Sequence, residues 1–530
     1  MRMTGGGIAR RALGLGTAGL LAAPRLAAAQ APRVLKVIPR GDLPVLDPLW
    51  TTAYQTRDHA YLVFDTLFGL DAAFRPQPQM LASATTEEEG RLWTLRLRPG
   101  LRFHDNEPVL ARDCVASIRR WAARDAFGQT LMAATEELSA PDDATIGFRL
   151  RQPFPMLPYA LGKASPNICV IMPERLARTD PFTRVNEMVG SGPFRFLASE
   201  QVPGAFIAYS RFEGYVPREG GTPEWTSGPK RVEIDRLEMH VIPDSGTAAA
   251  ALQSGEVDWW AWPEADLLPV LRRARGIELR EADPMGLIGT LRLNHLAPPF
   301  DKPAIRRAVL GAVSQADFMA AVAGTDRAYW RDGVGFFAPA SPLASTAGMD
   351  AMTGDIEAGR RALREAGYAG EPVVLLGSSN IAILKAVSDV AADLFRRLGL
   401  NVDYQVMDWG TVVQRRVRKE PPGQGGWSAF GTFWSGLDHL DPAVHAFLRG
   451  NGAQAAPGWP DSSRIEALRT EWLATADPAA QARMGEAIQR QAFEDVPYIP
   501  LGQQRSITAY RRNVSGILDG VPVYWNVRRI

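Results

Sequence analysis

Cysteine is nearly absent: Cys114 and Cys169 are the only two in 530 residues. A thiolate zinc site needs more ligands than that. Both thiols sit in apolar runs, so two buried free groups are favoured over a disulfide. Histidine is scarce too. His59, His104, His240, His295, His439 and His445 never take the H-E-x-x-H spacing of a helical zinc site, and the six-residue step from His439 to His445 fits no standard metal motif. No G-x-S-x-G is present, which removes the strand-to-helix serine nucleophile. The expectation is a protein without catalytic group, metal or cofactor. A net charge of +1 with no basic block carries no nucleic-acid footprint. No apolar run reaches the roughly twenty residues that span a bilayer.

What is present at the start is a leader. Arg2, Arg10 and Arg11 precede an apolar stretch at 12–23, followed by Pro24-Arg25-Leu26 and Ala27-Ala28-Ala29. That order of charged, apolar and small residues is a signal peptide over residues 1–29, with cleavage expected after Ala29. Arg10-Arg11 matches a twin-arginine signal in part, so the route stays open between that and the general one. No cysteine lies near the cleavage site, so no lipid anchor is expected. The mature chain is then a soluble periplasmic protein. Removing four arginines from the 59 basic residues leaves 55 against 58 acidic, about −3. Gly14-Leu15-Gly16-Thr17-Ala18-Gly19 fits G-x-G-x-x-G, but no strand precedes it and export removes it.

Residues 93–119 are the most informative. Trp93, Leu95 and Leu97 alternate with polar residues as a half-buried strand does, and Pro99-Gly100 turns the chain. A second strand is expected next, then a polar turn at His104-Asp105-Asn106-Glu107 and a helix opened by Ala111 and Asp113. This segment resembles the W-x-F-x-L-R-x-G-x-x-F-H-D-G and A-x-D-V of the extracellular solute-binding proteins of the peptide and nickel class, family five. Those are receptors of peptide-type ABC importers. Asn106 stands for the usual Gly, and asparagine tolerates a left-handed turn better than most residues. Further landmarks follow in family order: Leu46-Asp47-Pro48, then Gly190-Ser191-Gly192-Pro193-Phe194, where the glycines are expected to allow a tight turn. Later come Asn294 with Pro299-Phe300-Asp301, and Glu494 with Pro497-Tyr498-Ile499-Pro500-Leu501. A buried helix is expected over residues 61–68, and Trp259-Trp260 with Trp262 read as structural.

The resemblance implies an α/β, bilobal type II periplasmic-binding-protein fold with an extra subdomain inserted in the first lobe. Lobe I comprises residues 32–288 plus 506–530, with the inserted subdomain at about 65–189, and lobe II comprises 289–505. The chain crosses between lobes near 290–294 and 503–508. The implied function is a periplasmic receptor that holds a peptide or similar small solute between its lobes. A non-peptide solute, metal chelate or haem is the alternative ligand, and a secreted hydrolase the rival class. Partners are that ligand and the permease and ATPase subunits of the importer; nucleic acid is not among them, and the chain is expected to be a monomer.

Peptide-binding members hold the ligand amine on an Asp four residues before a Pro. In Trp434-Ser435-Gly436-Leu437-Asp438-His439-Leu440-Asp441-Pro442 that residue is Asp438, with one residue extra relative to the W-x-x-D spacing. A buried ammonium without a counter-charge costs several kcal/mol, so a peptide receptor needs such a carboxylate. Ser378 stands where dipeptide-binding members place an Arg, so a longer peptide or a different solute fits better. Trp50, Thr52 and Tyr54 after the Asp47 landmark, and Trp427, Phe433, Trp434 and Ser435 beside Asp438, are candidate walls of the site. Asn294 joins them at the crossing.

Overall fold

The computed structural model describes residues 32–530. The signal-peptide reading of residues 1–29, with the G-x-G-x-x-G run inside it, lies outside the described residues. One mixed sheet organises the chain, and four strands of it matter most here: β1 (Val34–Ile38), β2 (Ile277–Leu293), β3 (Ala429–Ser435) and β4 (Ile499–Arg511). In the first half β1 pairs in parallel with Arg236–His240 and with Trp259–Trp260. The helix Ser245–Ser254 makes the crossover between those two. Asp244 starts it by accepting the Thr247 N–H at 2.7 Å, and Gly255, at φ 86°, ends it. The second half repeats the scheme: Pro372–Ser378 is flanked in parallel by Asn401–Met407 and β3, with helix Ala382–Leu398 ended by Gly399.

β2 and β4 join the halves. They run antiparallel from Ile277↔Arg511 to Leu291↔Ile499, so the sheet never breaks. Their register slips between Glu281 and Asp283, between Asp283 and Leu287, and between Ile288 and Thr290. The first two slips precede residues 290–294, which form regular ladder with β3 as far as Leu293. Such bulges bend a strand pair without separating it.

The 93–119 segment folds largely as read. Leu92–Leu97 is a strand, Asn106 takes φ 70°, and Ala111–Ala122 is a helix whose Asp113 accepts the Leu110 N–H at 2.8 Å. The expected second strand is reduced to one isolated bridge, Arg102↔Pro108. Leu92–Leu97 belongs to a separate four-stranded antiparallel sheet with Leu81–Glu87, Thr145–Leu150 and Thr135–Asp142. Asp47 ties this region to the loop after β1: it takes Arg120 at 2.8 Å and the Val185 N–H at 2.9 Å.

Two local expectations change. The helix expected at 61–68 is α1 (Tyr54–Val63), and Asp65–Thr66 and Phe68–Leu70 are short strands. Gly190 and Gly192 do not turn through positive φ; they are glycines because the chain passes too close for a side chain. A Cβ on Gly190 would lie 2.1 Å from the Val63 carbonyl, and one on Gly192 2.6 Å from that of Leu62. Gly190→Ala is therefore expected to destabilise the protein by about 3 kcal/mol, the upper range for overpacking. Its urea midpoint checks this; an unchanged midpoint would mean the loop yields freely. Cys114 and Cys169 are both buried and unpaired.

Candidate functional site

α1 begins where the loop after β1 returns to the sheet, and its first residue points a phenol across the molecule. The Tyr54 hydroxyl donates to Asp438 Oδ2 at 2.7 Å and accepts the Ser435 N–H at 2.6 Å. Ser435 ends β3, and the tight turn Gly436–His439 follows. That turn lies against β2: a Cβ on Gly436 would fall 2.1 Å from the Met285 carbonyl. Packing this close leaves Asp438 little freedom. Asp441 stands beside it, its carboxylate accepting the Ala443 N–H at 2.8 Å, with the buried Tyr159 close by. A phenol from the first half thus meets a carboxylate from the second, with a second phenol close to a second carboxylate.

Electrostatically the site is strained. Asp438 is buried and forms no ion pair among the described residues; burial pushes its carboxyl up to about 6, against the pull of Tyr54 and of the more distant Arg57 and Lys163. Burial raises Asp441 as well, and Asp283, which rises to about 6. Across Tyr54 lie two arginines. Arg57 pairs with Asp58 at 2.8 Å, and Arg40 lies over Trp262 at 4.0 Å and beside Tyr54 at 5.1 Å. Arg40 Nε, Arg57 Nη1, Gln503 Oε1, Gln504 Oε1 and Ser506 Oγ are enclosed without a protein partner. These five atoms lie on β4 where it crosses between halves or on Arg40 and Arg57 of the same region, and a polar ligand would satisfy some of them. Beside Asp441 and Tyr159 a mainly apolar groove of about 580 Å³ opens, bounded by Phe74, Met156, Leu343, Leu440 and Trp472.

Of the residues singled out from sequence, Asp438, Ser435 and Tyr54 come together. Trp434 and Phe433 are half-buried at the end of β3, Trp434 edge-on to Phe447 at 4.9 Å. Trp50 is held between Arg184 at 4.8 Å and Arg124 at 5.1 Å, and Thr52 is exposed. Trp427 and Asn294 belong elsewhere. Trp427 is fully buried against Phe430 and Trp459 with its indole N–H on the Arg416 carbonyl, and the Asn294 amide donates to the Trp427 carbonyl at 2.8 Å. Ser378 is engaged locally with Asn380 and the Ile381 N–H. His439 and His445 face each other at 4.4 Å; burial lowers His439 to about 4 and His445 further, so both rings are neutral. Arg40, Arg57, Asp283 and Tyr159 were not indicated by any spacing in the sequence. Asp441, in the quoted run before Pro442, carried the one signal that could have been used.

The model of the bacterial extracellular solute-binding proteins, family 5, middle region, matches residues 75–451. A probable peptide ABC transporter periplasmic-binding protein of Sinorhizobium fredii is 35% identical over 493 residues, 92% of each chain. The chain belongs to family 5 of the bacterial extracellular solute-binding proteins. Solved structures agree on the fold. The binding protein AgaA of A. tumefaciens R10, in complex with agropinic acid, superposes with a TM-score of 0.78 at 19% identity, covering 94% of this chain and 99% of that one. The protein DppA of Helicobacter pylori, in complex with the peptide STSA, gives 0.77 at 20%, covering 94% and 98%. This family 5 protein is thus an α/β, bilobal type II binding protein, and it serves as the substrate-binding receptor of an ABC importer. Its family works in the periplasm or outside the cell, with permease and ATPase subunits as partners. No helix among the described residues is long and apolar enough to cross a membrane.

Proposed function

We propose that this receptor captures a peptide, or a solute of similar size bearing an amine, and seats the amine on Asp438. The observation that carries this reading is a buried carboxylate answered by a phenol but by no cation in contact, with enclosed polar atoms left unpaired nearby. A charge so placed is stabilised by a ligand ammonium. The lobes are 32–288 with 506–530, and 289–505, the first carrying the subdomain at about 65–189. They close on the ligand by bending at the slipped registers of β2 and β4. The groove beside Asp441 gives an apolar side chain room beyond the anchor. The ligand leaves unaltered, since the receptor binds without turnover. It acts as a monomer, exported by its leader and unlipidated.

A pool of mixed-sequence tri- to pentapeptides tests this. It should raise the unfolding midpoint of the mature protein saturably, shrink its radius of gyration in small-angle scattering, and be recovered intact. No shift with any pool points to a non-peptide solute of the kind AgaA holds, and cleaved peptides would sink the receptor reading.

A further inference from the structure

Arg40 is the one arginine of this site whose donors no protein acceptor takes. It follows β1 and Pro39, and it makes no hydrogen bond among the described residues; its Nε is sealed from solvent and unpaired. The nearby carboxylates bond elsewhere and none of them bonds Arg40. Asp58 Oδ1 accepts both Nε and Nη2 of Arg57, at 3.0 and 2.8 Å, and Asp283 Oδ1 accepts the Met285 N–H at 3.0 Å. The Arg40 guanidinium lies over the Trp262 ring at 4.0 Å. Stacking occupies the face of a guanidinium and leaves its N–H donors in the plane, the fork that a carboxylate fits.

Position gives the fork a meaning. Tyr54 lies between it and the amine seat: Arg40 is 5.1 Å from the centre of the Tyr54 ring, and Asp438 is 2.7 Å from the hydroxyl of that ring. The two opposite charges therefore stand within about 10 Å, the span of two or three extended residues. We infer that Arg40 holds the carboxylate of the ligand, so that the receptor selects short zwitterions, amine on Asp438 and carboxylate on Arg40. This rests on the amine reading of Asp438.

Three tripeptide pools of the same mixed sequences separate the two ideas: free acid, C-terminal amide and N-acetylated acid. For the wild-type protein the amide pool should need at least about tenfold more peptide for half-maximal thermal stabilisation, the loss typical of a charge-assisted pair. Arg40→Gln should respond to acid and amide alike, both at the weaker level, and Arg40→Lys should keep only part of the preference because it lacks the fork. Equal response of the wild type to acid and amide overturns the inference without any variant, and so does a preference that survives in Arg40→Gln. If instead the acetylated pool works as well as the free acid, the amine seat fails while the amide comparison still judges Arg40. Silence from all three pools overturns both.

Discussion

Asp438→Asn weakens binding of an amine-bearing ligand by at least about a hundredfold. The substitution keeps the shape and lets Tyr54 go on donating, but it leaves the ligand ammonium buried and unpaired, which costs roughly 3–5 kcal/mol. The same change alters how binding depends on pH. The Asp438 carboxyl sits at about 6 in the folded protein, raised by burial from 3.8, and an ammonium needs it ionised. Wild-type affinity therefore rises with pH through about 6 and is about tenfold weaker one unit below it. Asn removes that dependence. The sign for the unliganded fold is opposite. A carboxyl raised on folding contributes stability that is full below about 4 and lost as pH rises through about 6. Unliganded Asp438→Asn is then at least as stable as wild type at pH 7. Calorimetric titration from pH 5 to 8, with urea unfolding alongside, measures all three. Wild-type affinity in the variant sinks the amine seat.

Asp65→Ala destabilises the first half by roughly 3–5 kcal/mol, without touching the ligand site. Lys230 Nζ lies 2.7 Å from Asp65 Oδ1, with side-chain exposures of 0% and 1%. The Tyr215 hydroxyl donates to the other carboxylate oxygen at 2.9 Å, and the ammonium sits 4.6 Å over the Trp525 ring. Deleting the carboxylate strands a buried ammonium whose remaining neighbours are mostly aromatic. Adding Lys230→Met to Asp65→Ala removes the orphaned charge and should recover much of the loss, because apolar groups of similar size often replace buried pairs at little cost. Urea midpoints of the single and double variants check this. A single variant within 1 kcal/mol of wild type would show that water reaches the pair.

What could be read from the chain alone was local. The alternation at Trp93, Leu95 and Leu97, the left-handed Asn106 and the helix from Ala111 need only their neighbours, and they formed as read. α1 was misplaced for a physical reason. Its buried residues include Arg57, Asp58 and His59, so the apolar run at 61–68 pointed five to seven residues too late. The candidate site divides the same way. Asp438 could be reached by counting from Pro442, and Tyr54 from the Asp47 landmark, but their bond joins positions 384 apart and leaves no mark in either segment. Arg40 and Asp283 have even less to show. A lone arginine before Gly41 becomes notable only when its guanidinium is found enclosed and bonded to no side chain around it. Trp427 looked like a wall because it stands close to Asp438 in the chain; β3 carries it to the far end of the strand and into another core.

The placing of β4 in the sheet also governs how the chain can be assembled. This strand, made among the last, lies between Trp259–Trp260 and β2, and its partners in β2 are about 200 positions earlier. Until it arrives, both of those strands present an open edge, and the first half has no way to complete itself alone. Each half has its own parallel pairs and can begin to condense before that strand is in place. Synthesis thus ends by driving a wedge into the middle of a sheet whose two sides already exist. A chain shortened before residue 499 loses the centre of the molecule rather than its tail. Folding should be slow, and sensitive to anything that occupies the waiting edges, because the closing contact spans so much chain.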